Sequence, residues 1–332
     1  MLLDALQSRA VFRAALDGGF ALLAVNADSP AAITDVLEAA RAEDAPVMIE
    51  ASLWQLTGHS FGAGDPLLGM ARYLVQIALL AASERYGRVP VLFHTDHIRG
   101  PQTLPLLEAS LRGLATGIPG AVMSPSTLSV DSSAFTETEN IEALVRLGCV
   151  ARDCGRPVTL EMEAGVDDGV TDLAVAERLL GGVEERTPGT IHLWAPGVGT
   201  RHGLGEQGGF SSEAVRSHQQ TASRVLGRPV GIALHGSSGL EPEALKAAVS
   251  SGVVKVNWSS ESLRIRSQAA QEYYLEQQAA LTPGHPQWKT AAMDQGVQAH
   301  VASRYLPRVA ERIRLLGASG QAGRCRSALG LE

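Results

Sequence analysis

Apolar residues recur along the chain in short runs, at residues 20–25, 46–49, 89–93, 120–123, 158–162, 191–194, 230–234 and 253–256. The runs are rich in Val, Ile and Leu and do not alternate with polar residues. That is the pattern of strands buried on both faces, as in a parallel sheet covered by helices. Between the runs lie segments that read as helices, at residues 31–41, 67–85, 104–114, 138–152, 212–226 and 242–250. The first follows Asp28-Ser29-Pro30, a start signal with proline in the first turn. Eight such runs alternating with helices predict a (β/α)8 TIM barrel rather than an open doubly wound sheet. From Ser259 to about Leu316 the chain is mostly helical and Arg-rich, broken at Leu281-Thr282-Pro283-Gly284-His285-Pro286. This predicts the last barrel helix followed by additional C-terminal helices. No Pro/Ser-rich linker interrupts the pattern, so residues 1–320 are expected to form one domain and residues 321–332 a frayed tail.

Composition narrows the class. The chain has 332 residues, 45% apolar and 19% charged, below the ~25% charged usual for soluble domains, which implies a large core and excludes wholesale disorder. Its formal charge of −7 argues against a general nucleic-acid binder and a polybasic membrane-surface protein. No apolar run approaches the ~18 residues of a membrane span. The first 20 residues carry Asp4, Arg9, Arg13 and Asp17 and lack a secretory pattern. Cys149, Cys154 and Cys325 form no C-x-x-C pair and read as free thiols of a reducing compartment, so a cytoplasmic location is expected. The 35 glycines, roughly a tenth of the chain against ~7% on average, call for tight turns or close backbone approach to a ligand.

In a barrel, functional residues belong just after each strand, on the C-terminal face. Asn26, Ser52, the block His94-Thr95-Asp96-His97, Ser124 and Asp131, Glu161-Met162-Glu163, Gly199-Thr200-Arg201-His202-Gly203, His235-Gly236-Ser237-Ser238-Gly239 and Asn257-Trp258-Ser259-Ser260-Glu261 stand at the eight strand ends. His97, His202 and His235 would converge on one ion there, as three ligands with an open fourth position suit catalytic zinc; the alternative is three hydrogen-bonded strand-end histidines. His59, His192, His218, His285 and His300 lack that context. Asp96 is placed to exchange a proton with a substrate oxygen, or else to orient a ligand histidine. Glu161 and Glu163 share one face of a strand, and burial would demand a cation or a Lys/Arg partner. The loops after strands seven and eight have the make-up of a phosphate site built from backbone N–H groups and serine hydroxyls, with a plain helix cap by Ser238 as the alternative. Gly197-Val198-Gly199 lacks the spacing of a dinucleotide fingerprint.

These blocks, with Gly252-Val253-Val254-Lys255-Val256-Asn257, resemble class II, metal-dependent fructose-bisphosphate/tagatose-bisphosphate aldolases, in order along nearly the whole chain. The resemblance implies that His97, His202 and His235 bind a catalytic zinc that polarises the carbonyl of a ketose phosphate or dihydroxyacetone phosphate and stabilises an enediolate. Asp96 would protonate the aldehyde oxygen in condensation and deprotonate the hydroxyl in cleavage. Glu163 matches a carboxylate that holds an alternative or second metal position. Gly203, Gly236, Ser238, Asn257, Ser259 and Ser260 would hold the dihydroxyacetone phosphate end, with a monovalent cation near the phosphate, and Asn26 and Ser52 would line the pocket. It also implies a homodimer or homotetramer, small-molecule partners and neither nucleic acid nor membrane.

The chain is a divergent member by this comparison. The family's long acidic loop is shortened to Val166-Asp167-Asp168-Gly169-Val170, where Asp167 or Asp168 would serve as the proton-transferring base. Ser259-Ser260-Glu261 replaces the usual Asp-Thr-Asp. Ala291, with Lys289 nearby, stands where relatives carry an arginine for a second phosphate. The acceptor aldehyde is therefore expected to differ from glyceraldehyde 3-phosphate. Two other readings share the scaffold: a metal-dependent sugar-phosphate isomerase or epimerase, and a non-catalytic barrel subunit.

Overall fold

The computed structural model describes residues 1–96, 98, 103–115, 122–130, 135–165, 167, 169–205 and 209–331. Among these, eight parallel strands close into a barrel. They are β1 (Leu22–Asn26), β2 (Val47–Ala51), β3 (Val91–Thr95), β4 (Thr127–Ser129), β5 (Leu160–Ala164), β6 (Ile191–Pro196), β7 (Gly231–Leu234) and β8 (Val253–Trp258). Each pairs with its neighbours in sequence, and β1 closes on β8 with Leu22 opposite Lys255 and Ala24 opposite Asn257. Most strand residues are fully buried, and an apolar side chain buried in this way contributes about 1.5–3 kcal/mol.

Helices α1 (Ala5–Gly18), α2 (Pro30–Ala42), α3 (Leu53–Thr57), α4 (Pro66–Ala82), α5 (Thr103–Arg112), α6 (Glu137–Asp153), α7 (Leu173–Glu184), α8 (Ser212–Val225) and α9 (Pro242–Ser250) surround it. Their starts are written in the sequence. The Ser29 side chain accepts from Ala32 N and precedes Pro30, Asp65 precedes Pro66, and Thr136 with Glu139 forms a reciprocal cap. Helix α7, capped by Asp172, lies in a stretch where the apolar pattern above marks no helix. The C-terminal part forms α10 (Ser260–Glu276), α11 (Trp288–Ala292) and α12 (Asp294–Leu315), so the Leu281-to-Pro286 break falls between two helices as expected.

Helix α1 closes the N-terminal end of the barrel. Ser126 Oγ donates to Leu3 O and Thr159 Oγ1 to Ala5 O, each at 2.6 Å. The fourth strand departs from the apolar pattern. Residues 120–123 were expected to supply it, but Val122–Met123 pairs antiparallel with Leu114–Ala115 outside the barrel. The strand is Thr127–Ser129, hidden by its polar ends. Their hydroxyls are satisfied inside the sheet: Thr127 Oγ1 meets His94 Nδ1 at 2.7 Å and Ser129 Oγ donates to Thr95 O at 2.9 Å. Ser124 therefore precedes its strand rather than following it, and it shares a cavity with Asp4, Pro157 and Val158 at the N-terminal end. Asp131 lies outside the described residues.

The end of the chain also differs from expectation. Rather than fraying, Ala322–Ala328 forms helix α13 against α1. Ala322 and Cys325 are wholly buried, and Arg326 donates to Arg88 O at 2.8 Å, so small residues that look dispensable in sequence fill a groove. All three cysteines are free thiols.

Candidate active site

The C-terminal mouth of the barrel holds a cavity of about 100 Å³. It is lined by Asn26, Ser52, Trp54, Asp96, His202, Gly203, Gly236, Ser237, Ser238, Asn257, Ser259 and Ser260. All of the positions expected to bind the phosphorylated substrate are in this lining. His97 and Asp168 lie outside the described residues.

Below the cavity the barrel interior is charged. Glu50, Glu161 and Lys255 have no exposed side-chain surface, and the Lys255 ammonium lies 2.7 Å from Glu50 and 2.9 Å from Glu161. The strands put them there: side chains two apart along a strand share a face, which turns Lys255 inward with Asn257 above it and Glu161 inward with Glu163 above it. Glu50 is pushed up to about 8 by burial, against the opposing pull of Lys255. Burial alone would lower Lys255, but Glu161 and Glu50 outweigh it and hold it charged. Glu161 in turn accepts from His235 Nε2 at 2.8 Å. A carboxylate acceptor on Nε2 leaves the ring's lone pair on Nδ1.

Asp96 sits one layer higher and is only 3% exposed. Asn26 Nδ2 donates to its Oδ2 at 2.9 Å and Asn257 Nδ2 to its Oδ1 at 3.0 Å. Since a carboxylate only accepts, both amides are fixed in orientation. Their own oxygens, Asn26 Oδ1 and Asn257 Oδ1, are buried and have no hydrogen-bond partner among the described residues. A buried acceptor in that state calls for a donor from a ligand.

Donor atoms of Asp96, Glu163 and His235 all lie within 4.8 Å of one another, as do those of Glu50, His94 and Asp96. Glu50 and Glu161 share the Lys255 ammonium. Imidazole and carboxylate donors suit zinc, so the residues fit a divalent metal. His202 stands edge-on to His235 with ring centroids 5.7 Å apart, outside these two groupings. Asp167, expected as a base, instead accepts from His202 N and from His202 Nδ1, each at 2.9 Å, which directs the Nε2 lone pair of His202 away from the carboxylate.

The loop after β7 and the start of α10 bring backbone to the cavity. Gly236 has φ +63°, and a Cβ there would lie 2.7 Å from the carbonyl of Arg201, while Gly203 has φ +98°; both positions favour glycine. Helix α10 points its N-terminus at the cavity, and the Ser259 side chain at its N-cap makes no capping bond. N–H groups left open at a helix start suit an anion, and here Glu261 N is already taken. Ser238 Oγ accepts from Glu261 N at 3.2 Å. Ala291 and Lys289 lie on α11, away from this lining.

Sequence reading missed Glu50, Gln55 and Trp54. Glu50 had a visible signal, a carboxylate inside an apolar strand. Gln55 accepts from Ser52 N at 2.8 Å and ties the start of α3 to Asn26; no local pattern announces that.

The comparisons with known proteins agree with this architecture. A family profile described as "Fructose-bisphosphate aldolase class-II" matches residues 6–321. The fructose-bisphosphate aldolase of Neurospora crassa is 30% identical over 279 residues, 74% of either chain. That of Campylobacter jejuni is 29% identical over 301 residues, 79% of either chain. A crystal structure of fructose-bisphosphate aldolase from Campylobacter jejuni has a TM-score of 0.80 at 23% identity, covering 96% of this chain and 95% of that one, a likeness of fold. With its barrel, its charged mouth and a family match along nearly its whole length, the chain belongs to the class-II fructose-bisphosphate aldolase family.

Proposed function

We propose that this aldolase, a lyase, cleaves and forms a carbon–carbon bond of a ketose phosphate whose donor half is dihydroxyacetone phosphate, and that it uses zinc. The observation that carries the reading is Asp96, clamped by Asn26 and Asn257 on the cavity wall beside the donor atoms of Glu163 and His235. Zinc held by His97, His202 and His235, with Glu163 at an alternative or second metal position, would supply a Lewis acid at the substrate carbonyl.

The chain's own residues supply the rest. In cleavage Asp96 takes the proton of the hydroxyl on the carbon beyond the breaking bond. That carbon becomes the aldehyde, and the bonding pair stays on the ketone fragment as an enediolate. A proton then returns to the fragment's carbon from the loop after Gly165, where Asp168 is the remaining carboxylate, since Asp167 is engaged by His202. In condensation the same steps run backwards, with Asp96 protonating the aldehyde oxygen. Gly203, Gly236, Ser238, Ser259 and Ser260 hold the phosphate by backbone N–H groups and hydroxyls, with a monovalent cation beside it, while the oxygens of Asn26 and Asn257 accept from substrate hydroxyls. Ser52 closes the pocket wall.

Among the described residues the lining includes no Lys or Arg. Ala291, standing where relatives carry an arginine for a second phosphate, supports an acceptor aldehyde other than glyceraldehyde 3-phosphate. Residues 1–320 act as one domain in this reading, in a cytoplasmic homodimer or homotetramer. No helix among the described residues is long and apolar enough to cross a membrane.

The test is condensation of dihydroxyacetone phosphate with a panel of aldehydes, with Asp96→Ala and His235→Ala as controls. Chelator-sensitive consumption of both substrates, lost in the two variants, is expected. Equal activity in the variants overturns the site, and cleavage of fructose 1,6-bisphosphate at the rate of a glycolytic aldolase overturns the acceptor reading.

A further inference from the structure

Helix α3 is short, and its residues face different ways. Gln55 and Leu56 are buried at 3% and 0%, whereas Trp54 is 57% exposed, yet Trp54 lines the same cavity as Asp96, Ser52 and His202. The helix cannot turn freely, because Gln55 is anchored by Ser52 N and Asn26. The indole is therefore presented at the mouth by a braced scaffold. A large apolar ring left in water beside a cavity is a surface awaiting contact. Leu204, next to the lining Gly203, is likewise 47% exposed.

We infer that Trp54 selects the acceptor, favouring an aldehyde with an alkyl or aromatic chain and no phosphate. This rests on the aldolase reading above and adds a substrate class to it. The aldehyde carbon faces Asp96 while its chain lies against the indole, which shields it from water. A phosphorylated chain would find the apolar ring where it needs a cation.

The experiment compares kcat/KM for phenylacetaldehyde, butanal, glyceraldehyde and glyceraldehyde 3-phosphate, each with dihydroxyacetone phosphate. In Trp54→Ala the preference for phenylacetaldehyde over glyceraldehyde is expected to fall about threefold to tenfold, mainly through KM, the size of a lost aromatic contact. Trp54→Phe should retain most of it. Thermal melting of both variants checks folding. An unchanged ratio in Trp54→Ala, or a parent enzyme that prefers glyceraldehyde 3-phosphate, overturns the inference. Exchange of solvent hydrogen into dihydroxyacetone phosphate by the parent enzyme separates the two levels. Exchange with an unchanged ratio overturns the role of Trp54 alone. A metal-loaded parent that neither exchanges nor condenses overturns the aldolase reading and this inference with it.

Discussion

The ammonium of Lys255 lies 2.9 Å from the carboxylate of Glu161, with both side chains wholly buried. Glu161 in turn holds His235, whose ring lies within one grouping of possible metal donors with Asp96 and Glu163. Removing one member of a buried pair leaves the other charge uncompensated. Lys255→Met should lower the free energy of unfolding by about 3–5 kcal/mol, measured by urea denaturation. Adding Glu161→Gln to that variant should recover part of the loss. A single variant as stable as the parent would show that the pair carries no such weight.

Asp96→Asn tests the proton-transfer role. An amide at this position accepts from only one of Asn26 and Asn257 and turns an N–H toward the other, costing about 1–3 kcal/mol. Turnover should drop by about 10²–10⁴-fold, the usual contribution of a positioned acid or base. Steady-state rates and a melting curve on the same preparation check both; full activity would remove Asp96 from the chemistry.

Gly236→Ala should cost about 1–3 kcal/mol through its left-handed backbone conformation and weaken phosphate binding by pushing on Arg201. Gly205→Ala is the control, because a Cβ there meets nothing within 4 Å among the described residues; it should stay within about 0.5 kcal/mol of the parent. Melting curves, with inorganic phosphate titrated as the ligand, distinguish the two sites.

Glu163→Gln should raise the dissociation constant for zinc at least about tenfold, read by competition with a chromogenic chelator. Chelator treatment of the parent should lower its melting temperature, because an ion bound only by the folded chain stabilises it. Equal zinc affinity in the variant would exclude Glu163 as a ligand.

His192, on β6, lies far from this chemistry and shapes the response to acid. Burial first, then Arg9 and Arg228, lower its pKa from 6.5 to about 3. Between those two values the unfolded chain binds a proton that the folded chain does not, so stability falls as pH drops through that window. Moving from pH 7 to pH 4.5 should cost roughly 2–3 kcal/mol from this residue, and His192→Gln should flatten the dependence. Identical pH slopes for the two proteins would assign the acid response to other groups.

The barrel was legible in the sequence because strands buried on both faces admit few polar residues and helices begin at recognisable caps such as Ser29-Pro30 and Asp65-Pro66. The fourth strand escaped because Thr127 and Ser129 satisfy their hydroxyls on β3, a pairing between segments that no local pattern encodes. Helix α13 escaped because only the groove beside α1 makes its small residues buried. The lining of the cavity was largely readable, since residues just beyond barrel strands must converge on one face. Which of those residues meet was decided by the closed barrel alone. Strand register sets Lys255 between Glu50 and Glu161, and the loop after β5 brings Asp167 to His202 rather than into the cavity. The anchored first turn of α3 holds Trp54 at the mouth. Chemical character follows from residue type; partnership follows from distances that only a folded chain possesses.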